Sequence, residues 1–532
     1  MQYNVLAEPW IPVVMLDGTY KSVGIRDALI HSDKIAAISD DNPLQKIAIL
    51  RLLAAFVSDA YGDQIRTMRD RKRFSESHWA FDADVVSQYV DHCVNDCGAS
   101  FDLFDTKRPF MVQMFDASID APKASSCPKT ICSIILPLSS ANAVAHNNHK
   151  TQEKANIALT PAEALRNVLE LNLFAVAMAH GIPSSVNNTP PIYYAPVCDT
   201  LFEQLVMCMR GTRERGDLGT ADMCAWNSSE IIRRESAAAS VGYLSAMTFR
   251  PRRIVLLPDN DGLIRRCYVS HGTAYSRNDS WHDPFVAHIP RKLENGSISL
   301  EPLRPDVNRE FWRDIGNITV TDINQLGTTI PPSVLVPLRR GRMETVWSVG
   351  VVTDQAVYRH MLFDPGTIVP QRLLRQSDDG RGAPDEQDLI DQVYGDLALI
   401  DGVIMRLRPR STDSDSANDA PDPLRSMSAD LITVVLFEMR QYVLGRFFTD
   451  VMNADTQADG WAKKLHDSMA EHLMDAVRTA LKTTNRNYRD WERIVQYETV
   501  SCRIKNSVHA YLYPETDQKE TANDDKQNNH TA

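Results

Sequence analysis

The sequence predicts an α+β fold: a large mixed domain over residues 1–370 followed by a C-terminal four-helix bundle over 371–512. Three observations predict it. Short β-like runs alternate with helical stretches through the first part, without the regular strand–helix repeat of a doubly wound sheet. Past Pro365 the pattern changes to long helical segments, and a Ser/Asp/Pro-rich linker, Ser411–Pro423, interrupts them. The remaining residues, 513–532, are polar, lack an apolar face and are expected to be disordered.

In the mixed domain, strands are expected at Ile11–Leu16, Arg253–Pro258, Ile318–Thr321 and Val346–Val352. Leu44, Ile47, Ala48, Leu52, Ala55 and Phe56 fall at helical spacing and predict a helix over Leu44–Ala60. Thr160 and Glu163 form a capping box with Pro161 at the first helical position, opening a helix expected to run to Ala179 before Gly181 and Pro183. Asp116–Thr160 and Gly181–Pro196 lack sustained periodicity and read as loops. In the second part, helices are expected at Asp385–Leu407, Met427–Met452, Trp461–Thr483 and Arg486–Leu512. The stripes Leu465, Met469, Leu473, Val477, Leu481 and Leu431, Val435, Met439, Tyr442, Phe447 read as bundle core.

Composition excludes several classes. With 43% hydrophobic and 24% charged residues, the chain reads as an ordinary globular protein, and no apolar run approaches the roughly 20 residues of a membrane span. The first residues carry Glu8, Pro9 and Pro12 where a signal peptide needs its apolar stretch, so a cytoplasmic location is expected. Nine scattered cysteines do not form a disulfide framework; Cys93, Cys97, Cys127 and Cys132 match zinc-ligand spacing only loosely. The net charge of −12 argues against nonspecific coating of nucleic acid. Yet Arg250, Arg252, Arg253, Arg265, Arg266, Arg277, Arg291 and Lys292 cluster between Phe249 and Lys292, as on a protein with one nucleic-acid face. Solvated charge spread over unrelated surfaces is the plainer alternative.

No phosphate-binding glycine loop, zinc-binding helix or nucleophile elbow appears, and neither a catalytic residue, a metal nor a cofactor is expected. His146, Asn147, Asn148, His149 and Lys150 form a polar cluster that lacks the carboxylate or cysteine to complete a metal site; such residues on a loop suit contact with phosphate or base edges. His282 and Asp283, or Glu498, could serve as acid and base, but nothing places a nucleophile beside them.

Several segments in order resemble the CasA family, the large subunit of the type I-E CRISPR Cascade surveillance complex. They are Glu8–Val13 around Trp10; Phe101–Met111 with Gln113, the most specific; Tyr243–Leu256; Trp281–Pro284; Gly350–Ala356; and the closing bundle. The resemblance implies a division of labour in which guide RNA pairing reads the target while protein loops read the protospacer-adjacent motif in double-stranded DNA. It implies a wedge at Asp354, Gln355 and Ala356 that helps to open the duplex, and contacts from the minor-groove side. The family's glycine-rich loop falls at Gly181–Asn188, where only Gly181 is glycine, leaving Ser184, Ser185 and Asn187 as the expected contacts. The family's lysine finger falls where this chain has His271 and Gly272, with Arg266 or Arg277 as substitutes. Asn147, Asn148, His149 and Lys150, in the Asn142–Lys154 loop, correspond in position to a loop that touches the guide RNA and the backbone subunit.

The implied partners are double-stranded DNA, CRISPR guide RNA, the backbone, small and guide-end-capping subunits of Cascade, and a helicase-nuclease recruited in trans for antiviral defence. The rivals are the large subunit of another CRISPR subtype, a stand-alone nucleic-acid-processing enzyme and a structural scaffold.

Overall fold

The computed structural model describes residues 1–121, 127–139, 157–176, 183–215, 222–229, 232, 237–238, 241–275, 281–292, 296, 298–306, 311–314, 318, 329–335, 343–354, 357–373, 384–408, 423–485 and 491–514. The chain divides into two compact units: Met1–Arg339 with Glu344–Thr367, and Arg340–Met343 with Ile368–Ala532.

The first unit is α+β. Strand β1 (Ile11–Met15) sits between β2 (Tyr20–Val23) and β3 (Ile35–Ile38), antiparallel to both. Helix α1 (Pro43–Ala60) follows, with Asn42 accepting from the Leu44 amide and Pro43 in the first turn. It is buried on nearly every side, so its apolar residues do not confine themselves to a stripe. Three polar residues go into the core with it. Gln45 donates to Glu170, Arg51 to Asp283, and the Ser58 hydroxyl to the Ala54 carbonyl. Helix α2 (Pro161–Phe174) packs against α1 and opens with the capping box read from the sequence. It ends at Phe174, short of Ala179: Ala175 is extended and its carbonyl accepts from the Ser185 amide, so tertiary pairing stops the helix before the glycine does.

A strand appears where a loop was expected. β4 (Ile192–Pro196) is buried along its whole length and pairs antiparallel with the strand Met343–Asp354. Full burial removes the alternation that marks a half-exposed strand, and Pro190 and Pro191 ahead of it read as a loop. Helix α3 (Leu201–Cys208) also packs on α1. Strands β5 (Arg252–Pro258) and β6 (Ile264–His271) form a hairpin, and the short strand Lys129–Thr130 pairs with the far side of β6. β7 (His288–Lys292) and β8 (Ile298–Pro302) form a second hairpin. β9 (Met343–Asp354) and β10 (Val357–Pro370) are neighbours in one sheet, in the order β10–β9–β4. Of the expected strand Ile318–Thr321, only Ile318 lies among the described residues, and it is helical.

The second unit contains α4 (Pro384–Leu407), α5 (Pro423–Tyr442), α6 (Trp461–Asn485) and α7 (Trp491–Leu512). α5 continues through a π-helical turn, Val443–Phe447, to Asn453. α6 packs against the other three, and both predicted apolar stripes are buried. At Gly402 a Cβ would collide with the Tyr511 ring, so a glycine lets α4 and α7 approach. Among the described residues no helix is long and apolar enough to cross a membrane.

Candidate nucleic-acid interface

Asp283 organises the expected motif-reading region. Its side chain is fully buried; Oδ1 accepts from Arg51 Nη1 at 2.6 Å and from the Phe285 amide at 3.0 Å, and Oδ2 accepts from Asn187 Nδ2 at 2.7 Å. Asn187 Nδ2 also donates to the Tyr193 hydroxyl, and Asn187 Oδ1 accepts from Trp281 Nε1. One carboxylate thus ties α1, the Ser184–Asn188 turn and the Trp281–Pro284 segment together. This corrects the expectation of Asn187 and Ser185 as outward contacts. Asn187 (5% exposed) spends its amide on the fold rather than offering it outward, and Ser185 is buried beside it. Asp283 is a framework residue, held by Arg51 and Asn187, and Glu498 is exposed on α7. Of the three expected contacts in this loop, Ser184 stays half-exposed, its hydroxyl donating to Asn188 Oδ1. Asn188 closes the turn at φ +66, a left-handed position that asparagine tolerates.

The arginine-rich stretch does not form one basic face. Arg252 and Arg253 are consecutive on β5, point to opposite sides and are both buried. Arg252 donates to the Val176 and Pro183 carbonyls, clamping both stems of the Gly181 loop; burial lowers its pKa to about 10, so it stays charged at neutral pH. Arg253 makes a bidentate ion pair with Asp120. Arg265 pairs with Asp259 and Asp261, and Arg291 with Glu301. Arg266 is exposed. From a sequence, an arginine that pairs internally and one that faces solvent look the same.

The strand register separates two further candidates. Val269 and His271 share one face of β6, where His271 stands opposite Arg252; Arg266 and Tyr268 share the other. Arg266 and His271 therefore cannot serve one contact surface. Next to His271, a Cβ on Gly272 would collide with the backbone of Arg250 and Pro251, so the finger position is a close chain crossing that requires glycine.

The His271 side of the sheet meets the β9–β10 hairpin. β9 is rooted in the core: Val346, Trp347, Val349 and Val351 are buried, and Lys46 Nζ lies 4.9 Å from the centre of the Trp347 ring. Toward its end the strand emerges, and exposed Asp354 accepts from Arg359 of β10 at 2.9 Å. A cavity of about 70 Å³ lies beside the turn end of the hairpin, lined by Val351, Thr353 and Tyr358 from the hairpin, Leu171, Phe174, Ala175 and Val176 from the end of α2 and the chain after it, and Arg252 and Val269 from the β5–β6 sheet. Lys129, Ser133, Leu136 and Ser139 complete it, from the segment that leads toward the Asn142–Lys154 loop. The cavity brings together neighbours of the expected wedge, of the Gly181 loop and of His271. Gln355, Ala356, Arg277, Asn147, Asn148, His149 and Lys150 lie outside the described residues.

Among the described residues no three His, Cys, Asp or Glu side chains gather to hold a metal ion. Cys93 and Cys132 are buried, Cys97 is half-buried and Cys127 exposed, all as free thiols.

Comparison with known proteins follows the same outline. The family model for CRISPR-associated protein Cse1 matches residues 4–420. A CRISPR-associated protein CasA/Cse1 of Thermus thermophilus is 25% identical over 371 residues, 67% of this chain and 68% of the relative. In fold, a crystal structure of a CRISPR-associated protein from Thermus thermophilus aligns with a TM-score of 0.73 at 20% identity, covering 96% of this chain and 100% of its own. Cse1 from Acidimicrobium ferrooxidans aligns at 0.72 and 18%, covering 97% and 99%. A chain of a CRISPR RNA-guided surveillance complex aligns at 0.68 and 16%, covering 95% and 99%. With a family match running through the mixed domain and into the bundle, the chain belongs to the CRISPR-associated Cse1 (CasA) family.

Proposed function

We propose that this chain is the large subunit of a type I-E CRISPR RNA-guided surveillance complex, reading the protospacer-adjacent motif in double-stranded DNA and helping to open the duplex for guide pairing. It performs no catalysis of its own. The observation that carries the reading is the convergence at one cavity of the β9–β10 hairpin, the Val176 stem of the Gly181 loop held by Arg252, and the strand that ends in His271. Unstacking costs a few kcal/mol per base step, so an opening element must be backed by rigid structure. The buried root of β9 supplies that backing, and the wedge role falls to Gln355, beside Asp354 and Ala356. Ser184, His271 and Arg277 are the proposed contacts on the motif, and Asn147, Asn148, His149 and Lys150 those on the guide RNA or backbone subunit. The bundle rests on the small subunit, and the assembled complex recruits a helicase-nuclease.

The test is electrophoretic binding of the reconstituted complex, with and without this chain, to duplexes that differ only in the flanking trinucleotide. The proposal expects discrimination among trinucleotides that is lost when the chain is omitted. Equal binding to every duplex by the complete complex rejects it.

A further inference from the structure

The segment Phe101–Gln113 plays no part in the motif-reading account, yet it builds a second cavity on the other side of the β5–β6 sheet. Phe101 and Phe110 pack with Trp226 in the buried aromatic core. Met111 adopts φ +59, a strained position for a non-glycine residue, and the chain then turns out along β5, where the Gln113 amide donates to the Ile254 carbonyl. The resulting cavity, about 60 Å³, is lined by Lys107, Arg108, Gln113, Ser229, Arg250 and Arg253, with Asp116 as its acid. Arg253 is neutralised by Asp120. Among the described residues Arg108 donates to the backbone carbonyls of Cys97, Gly98 and Trp226 and has no carboxylate partner. The nearby acids are engaged in local hydrogen bonds. Asp116 Oδ1 accepts from the Ser118 amide and hydroxyl, and Asp105 Oδ1 from the Lys107 and Arg108 amides.

Met114 also lines this cavity, and Phe115, between Met114 and Asp116, is 42% exposed with its ring 5.1 Å from that of Tyr268. Arg266 stands two residues before Tyr268 on the same face, exposed and with no ion-pair partner among the described residues. A cationic recess beside a partly open aromatic pair and a free guanidinium is the chemistry that holds an unpaired strand, with phosphate in the recess and a base on the ring. A duplex would hide its base faces from such a platform.

We infer that the Lys107–Arg108 recess and the Phe115–Tyr268–Arg266 surface form a binding site for single-stranded nucleic acid, separate from the hairpin proposed to open duplex DNA. Its test uses the full chain and a fluorescein-labelled ten-nucleotide poly(dT), with poly(U) as the RNA arm, followed by fluorescence anisotropy. Phe115→Ala is expected to weaken binding by on the order of tenfold through lost stacking. Lys107→Ala is expected to weaken it and to flatten its salt dependence by about one phosphate contact. Gln355→Ala should leave it unchanged, which separates this site from the proposed duplex-opening role. The stronger of the two arms identifies the strand as DNA or RNA. Absence of binding to both oligonucleotides, or binding untouched by Phe115→Ala and Lys107→Ala in variants with wild-type circular dichroism, overturns the inference.

Discussion

Arg51 Nη1 and Asp283 Oδ1 meet at 2.6 Å with both side chains out of solvent, joining the central helix of the first unit to the segment that holds the Ser184–Asn188 turn. A buried ion pair adds little over a well-packed apolar pair, but removing one partner strands the other charge. Asp283→Ala is therefore expected to destabilise the unit by about 3–5 kcal/mol. Thermal melting of the full chain measures this, and a shift no larger than that of an exposed substitution such as Asp261→Ala would show that the pair does not anchor the region.

Arg252 serves one structure, the stems of the Gly181 loop. Arg252→Met keeps much of the side chain's length and apolar stem but leaves the Val176 and Pro183 carbonyls without their donor, at a cost of about 1–3 kcal/mol. The variant is expected to show faster proteolysis near Gly181 and weaker duplex binding in the complex. Proteolysis at the wild-type rate would separate Arg252 from loop position.

Much of this was legible in the sequence, and the reasons for the rest are physical. The capping box at Thr160 and the apolar spacing from Leu44 are local signals; α2 starts at Pro161 as predicted and α1 one residue before Leu44. The bundle stripes are equally local. β4 escaped because a strand buried on both faces carries no alternation, and α2 was read too long because a tertiary hydrogen bond ends it. The arginine cluster misled most: charge density along a chain does not record pairing, and Asp120 and Asp259 neutralise residues that the sequence counts as free. Nothing in Trp281–Pro284 signals that Asp283 receives a helix arginine far away in sequence.

Glu170 is buried on α2, with Oε2 accepting from Asn42 and Gln45 and Oε1 without a partner among the described residues. Burial pushes its pKa up to about 7, with Asp40 adding repulsion, against an ordinary value of 4.5. A carboxyl raised on folding stabilises fully below its unfolded pKa, and that stability is lost as pH climbs through the folded value. The window runs from 4.5 to about 7, and the loss is about 3 kcal/mol. Glu170→Gln, which cannot ionise, should melt progressively higher than the wild type as pH rises from 5 to 8. A constant difference between the two melting temperatures across that range would contradict the assignment.

Two glycines of α4 should respond oppositely to alanine. Gly395 is exposed, and a Cβ added there would meet open space, so Gly395→Ala is expected to stabilise the bundle by up to about 1 kcal/mol. Gly402→Ala meets the Tyr511 ring and should destabilise it by about 1–3 kcal/mol. Melting curves of the two variants moving in the same direction would argue against the close α4–α7 crossing.

The β9–β10 hairpin is proposed to open duplex DNA. The most direct measurement compares the affinity of the complex, wild type and Gln355→Ala, for a fully paired target and for one mismatched at the first positions beside the motif. Gln355→Ala is expected to weaken binding to the paired target, and prior unpairing is expected to restore it. An equal loss on both targets, or no loss on either, would contradict the claim.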